Sequence, residues 1–580
     1  MAPKEHEKFA GNKEFSNVSV VIIGGGISGM CTAIELLKRN IHNFVVLEKS
    51  TGMGGTWRDN KYPGCCCDVF SHLYSFSFEQ NPNWSRLYPG QEEILTYLQR
   101  VAAKYDLNRY VRCSSQVDEA RWDDQERKWK THVTVTGSKD AEFVEEYTIT
   151  SDFLVSGVGQ LNYPHYPSIE GLDDFKGKLM HSARWDWSYS LKGKKIAIIG
   201  NGATSVQIVP EIAPDAAHLT IFQRTPNWIV PRMDMSVWKP IRALLKWCPP
   251  LLWKIRTLMM DTREPIFNAL AKPSTKSSRF FEDMAKKQMH KQLPNRPDLW
   301  KILTPDYPVG CKRVLLTDDY YPTLLRDNVT LETGSINRIT ENGIVIDGEE
   351  RAFDLIILAT GFRTVEFMHP IKIHGANGTP LSDVWKKGAR ALYGVTVESL
   401  PNFGMLYGPN TNLGHNSIIL MIEAQARYIL TLIDAVLRAK QAGGSLAITP
   451  RKVRLEEFNQ QIQADLAGSS FAHPNCRSWY KNEEGLITNN WSNTVVNYQK
   501  ILSKVRWDDF DYEGTGSVAA QKKQSRERKA VTNIGRVREE SLIGLKQFIV
   551  ISSVVGVVAM VMKKAPHLLP QAVQQLTGGK

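Results

Sequence analysis

Gly24, Gly26 and Gly29 stand between an apolar run, NVSVVII, and a helix-forming run, CTAIELLKRN, with Ser28 inside the turn. A Gly-x-Gly-x-x-Gly turn at this place lets backbone N–H groups at a helix N-terminus approach a pyrophosphate. Glu48 ends the next apolar run, FVVLE. Its carboxylate can accept hydrogen bonds from ribose hydroxyls and would repel a 2′-phosphate, so this site suits FAD or NAD and not NADP. A second turn follows about 175 residues later, built from Gly200, Gly202 and Ser205, with Ala203, Thr204 and Gln207 in the same stretch. After the next strand, HLTIFQRT, Arg224 and Thr225 replace the acid. A guanidinium fork beside a hydroxyl selects the 2′-phosphate of NADP. One flavin-type site and one NADPH site in a single chain imply electron transfer between them.

Two βαβ units must position these turns. Residues 17–48 read as strand, turn, helix, strand, and the pattern repeats from Lys194 in KKIAIIGNGATSVQIVPEIA. The runs FLVSGVGQL at 153–161 and FDLIILATGF at 353–362 read as returns to the first unit, which splits that domain. The expected fold class is α/β, with two Rossmann-like dinucleotide-binding domains, the NADP domain inserted into a split FAD domain, a helical insertion and a candidate C-terminal membrane helix. Expected boundaries are a flexible N-terminus at 1–16, the FAD domain at 17–165 and 346–507, and a linker at 166–190. The NADP domain takes 191–345, with its insertion at about 232–300. A basic linker at 508–541, an apolar segment at 542–562 and a tail at 563–580 complete the chain. The insertion, containing MSVWKPIRALLKWCPPLLWKIRTLMM, reads as a packed helical subdomain with solvated Lys and Arg; a substrate entrance or a membrane-facing surface is the alternative.

Bulk properties narrow the function classes. At 580 residues the chain exceeds one hydrophobic core and divides into two or three domains. Of the +12 formal charge, two thirds lies from Gln521 onward, where eleven basic residues face three acidic ones, so the body lacks the basic stripe that nucleic-acid binding uses. Eight cysteines, with Cys65, Cys66 and Cys67 consecutive and no CxxC pair, suggest neither a disulfide framework nor a zinc site, and a reducing, cytosol-facing compartment is expected. No secretory signal is read at the N-terminus. The clean apolar run from Phe548 is about 15 residues, short of the roughly 20 a spanning helix needs. With Lys546 snorkelling it reads as a single-pass anchor, the alternative being an amphipathic or oligomerising tail helix.

Between the two units, Phe175, Gly177, His181, Trp185 and Asp186 in FKGKLMHSARWDW match the pattern FxGxxxHxxxW(P/D). On these residues the chain resembles the Baeyer–Villiger monooxygenases, and the resemblance extends over about residues 15–505. It implies that GGTWRDNKYPGCCCD, matching GGTWxxxxYPGxxxD, puts Gly54, Gly55, Thr56, Trp57, Asp68 and Tyr74 against the flavin, and that Val117 makes a main-chain contact to the flavin adenine. Cys66 stands where the family has Arg, a departure that leaves one NADP contact in doubt. YPVGCKRVLLTDD resembles the segment holding the family's active-site Lys–Arg pair, here Lys312 and Arg313; LATGF at 358–362 and GPNTNLGHNS at 408–417 also fit. SWYKNEEG, around Trp479, resembles a late loop that covers NADP, and His181 falls on a hinge.

The resemblance further implies a reaction: FAD, NADPH and O2 insert one oxygen beside a ketone carbonyl, giving an ester or lactone by way of a C4a-peroxyflavin. The peroxide must stay deprotonated, and an anion in a dry pocket needs a fixed cation. Arg313 fits that role because guanidinium keeps its proton, and Asp68 would set its position. Lys312 would add to 2′-phosphate binding. The lipophilic insertion suggests a bulky hydrophobic ketone in secondary metabolism. Two other readings stay open at this point: an N- or S-oxygenating flavin monooxygenase, and a membrane-tethered nucleotide-binding protein without turnover.

Overall fold

The computed structural model describes residues 16–136, 146–516 and 531–534. The chain opens with β1 (Asn17–Ile23), α1 (Ile27–Lys38) and β2 (Phe44–Leu47). Both strands are apolar and rich in Val and Ile, and they are buried on both faces, as parallel strands covered by helices must be. The next strands are β3 (Val111–Arg112), β4 (Ser115–Asp123), β5 (Lys128–Val135) and β6 (Glu146–Ser156). Then come β7 (Lys178–His181), β8 (Lys195–Ile199), α2 (Ala203–Ile212) and β9 (His218–Phe222).

Helices follow: α3 (Lys239–Trp247), α4 (Pro249–Arg263), α5 (Ile266–Ala271), α6 (Lys276–Gln292) and α7 (Pro297–Leu303). The chain re-enters strands at β10 (Val329–Glu332) and β11 (Leu355–Leu358), then β12 (Lys372–His374) and β13 (Phe403–Met405). α8 (Ile418–Gln441) is buried along most of its length and packs on α1.

The first sheet runs β12-β4-β5-β6-β1-β2-β3, with β13 beside β6. The second runs β10-β9-β8-β11-β7, every neighbour parallel. This corrects the expectation for 353–362. β11 lies between β8 and β7, with Leu355 opposite Ile196 and Leu358 opposite Ile199, so it belongs to the second sheet. An all-apolar LIIL run fits an interior parallel position in either sheet, the mixed first or the all-parallel second, and local pattern cannot choose between them. The return to the first sheet comes at β12 and β13, and β7 from the expected linker forms the second sheet's edge. The second sheet therefore draws on residues 178–358, wider than the expected 191–345.

Two crossings join the sheets, and they touch. His165 N donates to Gly361 O at 2.9 Å and Arg363 N to Tyr163 O at 3.0 Å. His181, at the end of β7 and 2% exposed, has its ring 6.1 Å from Phe362 and 5.4 Å from Tyr166. Burial pushes its imidazole down to about 4. The fingerprint histidine thus packs at the crossing, with its Nδ1 accepting from Ala183 N at 3.1 Å.

No helix among the described residues is long and apolar enough to cross a membrane. The segment 542–562 lies outside the described residues.

Candidate active site

The first turn is built for close backbone approach. A Cβ on Gly29 would fall 1.9 Å from the Gly24 carbonyl oxygen, so only glycine lets α1 start directly behind the strand. Gly26 caps α1 with no side-chain hydrogen bond, which leaves the first helical N–H groups for a pyrophosphate. Gly55, at φ +52°, faces it: a Cβ there would lie 2.8 Å from Gly26 Cα. The two glycines form a cradle that side chains would fill.

Glu48, 4% exposed at the end of β2, accepts from Gly25 N at 2.6 Å and Ser50 N at 2.7 Å. Burial raises its carboxyl from the ordinary range, and these donors pull it back only in part. A buried acid beside a bare helix N-terminus fits the ribose of a flavin dinucleotide. Ser28 and Val117 are buried in the same region, and Trp57 donates to the Tyr74 hydroxyl at 3.1 Å.

The second turn repeats the arrangement. Gly202 caps α2, Ser205 is fully buried, and Ala203 and Thr204 form the first turn of that helix. Gln207 leans toward the first domain: its amide donates to Cys66 O at 3.2 Å and accepts from Tyr62 Oη at 3.0 Å. At the end of β9, Arg224 is exposed, and Lys312 Nζ donates to Thr225 Oγ1 at 2.6 Å. Burial and then the Arg224 charge lower the Lys312 ammonium to about 8. Two cations and a hydroxyl gathered around one point fit a phosphate dianion, which would relieve that repulsion.

Between the turns lies an ion pair. Arg313 Nε donates to one Asp68 oxygen at 2.5 Å, Nη2 to the other at 2.7 Å, and Nη1 to Leu413 O at 3.2 Å. These bonds engage three of the five guanidinium N–H groups, leaving two. Each side chain is 27% accessible although both lie deep among protein atoms, as on the wall of an internal cleft. Burial opposes both charges, but each partner outweighs it for the other: Asp68 stays below the carboxylate range and Arg313 is pushed further up.

Sequence reasoning does not single out the other residues at this site, although Tyr480 lies within SWYKNEEG and His415 and Asn416 within GPNTNLGHNS. Arg263, the last residue of α4, stands 4.7 Å over the Phe70 ring, and its charge also lowers Asp68. Its neighbour Glu264 accepts from Asn416 Nδ2 at 2.7 Å and Val496 N at 3.2 Å, and lies 3.4 Å from His415 Nε2. That carboxylate pins the 408–417 loop whose Leu413 carbonyl holds Arg313. Tyr407, half-buried, and Tyr480, buried, lie within reach of the Arg313 charge, and burial raises Tyr480 to about 12.

Trp479 is half-buried, with its ring 4.5 Å from Tyr480 and its carbonyl accepting from Thr364 Oγ1 at 3.2 Å. Cys476, three residues earlier, forms a disulfide with Cys311. The cysteine reading expected no such link; a pair separated by 165 residues has no spacing signature. The other six cysteines are free.

Comparison with known proteins places this architecture. The profile of the flavin-binding monooxygenase-like family matches residues 17–371. The FAD-binding monooxygenase ktnD of Aspergillus niger is 54% identical over 542 residues, covering 93% of this chain and 88% of that protein. A Baeyer–Villiger monooxygenase of Streptomyces coelicolor is 39% identical over 502 residues, covering 86% of this chain and 93% of its own length. Among solved structures, OTEMO in complex with FAD and NADP superposes with a TM-score of 0.74 at 26% identity, covering 86% of this chain and 99% of that one.

Proposed function

The chain belongs to the flavin-binding monooxygenase-like family, and from that premise we propose that it is a Baeyer–Villiger monooxygenase. It takes FAD on the first turn and NADPH on the second, and uses O2 to convert a bulky hydrophobic ketone into an ester or lactone. Ketone, O2, NADPH and a proton give ester, NADP+ and water. The observation that carries this reading is the Asp68–Arg313 pair, a fixed and partly accessible cation one residue from Lys312, which donates to Thr225 beside the second dinucleotide turn.

When bound, FAD supplies oxygen activation and NADPH the reducing equivalents. The chain's residues do the rest. Arg313 holds its charge at any working pH, and its two uncommitted N–H groups are available to negative charge that develops on the carbonyl oxygen during insertion. Asp68 fixes the plane of the guanidinium by a two-armed bond and moderates its charge. Arg263 adds a second cation whose charge is felt by Asp68. Arg224, Thr225 and Lys312 take the 2′-phosphate, Gln207 ties that helix to Cys66, and the loop at Trp479 covers the nicotinamide nucleotide. Glu48 takes the flavin ribose, and Trp57 and Tyr74 line the flavin side. N- and S-oxygenation proceed without a nucleophilic anion and have no need of this cation, so the pair favours the ketone reaction.

Incubation with a panel of bulky ketones under 18O2 tests the proposal: at least one should yield an ester carrying a single 18O. Stimulated NADPH oxidation that gives only sulfoxides or N-oxides from matched thioethers and amines, with no ester from any ketone, would assign the other chemistry. The apolar segment 542–562 is proposed to attach the enzyme to a membrane, a role checked by alkaline extraction of the full chain against one ending at residue 541.

A further inference from the structure

Twelve large apolar side chains are exposed among the described residues, and six of them, Met233, Met235, Trp238, Ile241, Leu244 and Trp247, fall within one short stretch. Single exposed apolar residues are ordinary; such a concentration marks an interaction surface. Its centre is α3. Ile241, Leu244 and Trp247 recur at every third position, 44%, 51% and 86% exposed, while Leu245 alone in this helix is buried. Lys239, Arg242 and Lys246 recur along the adjoining flank. The helix therefore turns an apolar face outward with a cationic stripe beside it.

The charge pattern identifies the occupant. From Met235 to Met260 there is no Asp or Glu, against five basic residues. Of these, Arg256 points inward and donates to His72 O at 2.8 Å and Leu73 O at 3.1 Å, whereas Lys239 and Lys246 are exposed and Arg242 and Lys254 partly so. A protein partner, or a second copy of this chain, would favour a surface depleted in Lys. Tryptophan, aliphatic side chains and exposed cations with no acidic residue along the stretch together suit the boundary of an anionic bilayer, where the apolar groups enter the acyl edge and the cations meet headgroup phosphates.

We propose that α3 is a membrane-interface helix that lies flat on an anionic bilayer, with Ile241, Leu244 and Trp247 inserted. α4 begins next to this surface and ends at Arg263 and Glu264 in the candidate active site, about 22 Å along at 1.5 Å per residue. The bilayer contact and the cleft are thus the two ends of one helix, an arrangement suited to a ketone that partitions into lipid. The proposal does not depend on segment 542–562 or on which oxygenation the enzyme performs.

The test uses the full-length, FAD-loaded protein and hydrogen–deuterium exchange with mass spectrometry. Vesicles of phosphatidylcholine containing about one third phosphatidylserine should slow exchange in peptides spanning 233–253, and pure phosphatidylcholine should do so less. The variant I241D/L244D/W247D should lose that protection and bind the mixed vesicles roughly tenfold more weakly or worse, while keeping its flavin and its NADPH oxidation with a water-soluble ketone. K239Q/R242Q/K246Q, a second variant for the case that the first does not fold, should lose the preference for anionic vesicles. Both variants retain the C-terminal segment, so a difference from the parent belongs to α3. Vesicle-independent exchange at 233–253 would overturn the proposal, as would protection there that grows with protein concentration in the absence of lipid.

Discussion

Asp68 and Arg313, 245 residues apart in the chain, meet as a two-armed ion pair with N–O distances of 2.5 and 2.7 Å. The arginine's third bond, to Leu413 O, draws in the loop that Glu264 anchors. A cation held by three bonds from two separate segments cannot follow a passing anion, and so acts as a preorganised charge for whatever is bound in the cleft.

Arg313→Ala should lower ester formation by about 10²–10³ or more, the usual cost of a lost transition-state donor, while reduction of FAD by NADPH stays near the parent rate. Arg313→Lys keeps the charge without the fork and should fall between. Stopped-flow spectra combined with product analysis check this, and a normal ester yield from the alanine variant would remove Arg313 from the chemistry.

Lys312 gives the NADPH site a pH dependence. Its ammonium is lowered to about 8 in the protein, and binding of a phosphate dianion favours the charged form. Affinity is therefore full below about pH 8 and declines as the pH rises through that value, with KM for NADPH climbing and kcat at saturation little changed. Lys312→Met should raise KM at neutral pH and flatten the profile. A KM that stays constant from pH 7 to about 9.5 in the parent would exclude this linkage.

Glu48→Ala should weaken FAD binding by roughly ten- to a hundredfold, because a hydrogen bond to a charged group contributes about 1.5–3 kcal/mol. Absorbance of the purified variant, titrated with FAD, measures it. Retention of stoichiometric flavin through dialysis would place the ribose elsewhere.

The Cys311–Cys476 bond ties the Lys312–Arg313 segment to the loop carrying Trp479 and Tyr480. Peptide mapping without reductant should recover the linked pair. Cys476→Ser should free the loop, shorten NADP+ retention and raise the hydrogen peroxide released per NADPH consumed, with ester still formed. Loss of the cross-link should also cost about 2–4 kcal/mol of stability. Parent-like coupling and stability would mean that the covalent tie does nothing for the loop.

The two dinucleotide turns were legible from residue spacing because each is a local device. Gly24, Gly26 and Gly29 act within one strand-to-helix junction, and Glu48 or Arg224 follows at the end of the next strand, so the register of a short βαβ unit fixes their places. The FAD-against-NADP assignment followed from side-chain charge at those positions.

What the chain does over long separations was set by tertiary structure. LIIL at 355–358 suits a parallel position in either sheet, and only packing placed it between β8 and β7. Arg263, Tyr407 and Tyr480 come from a helix end and two separate segments, and act on the Asp68–Arg313 pair only through the way α4 and the chain around 407 and 480 fold together. The same holds for Cys311 with Cys476, and for α3, whose amphipathic pattern would serve equally for a buried helix. Sequence by itself named the groups proposed to bind nucleotides, since those groups act on neighbours along the chain. Only the tertiary structure decided which groups share a cleft and which apolar face stays outside, because burial and pairing are properties of distance in space.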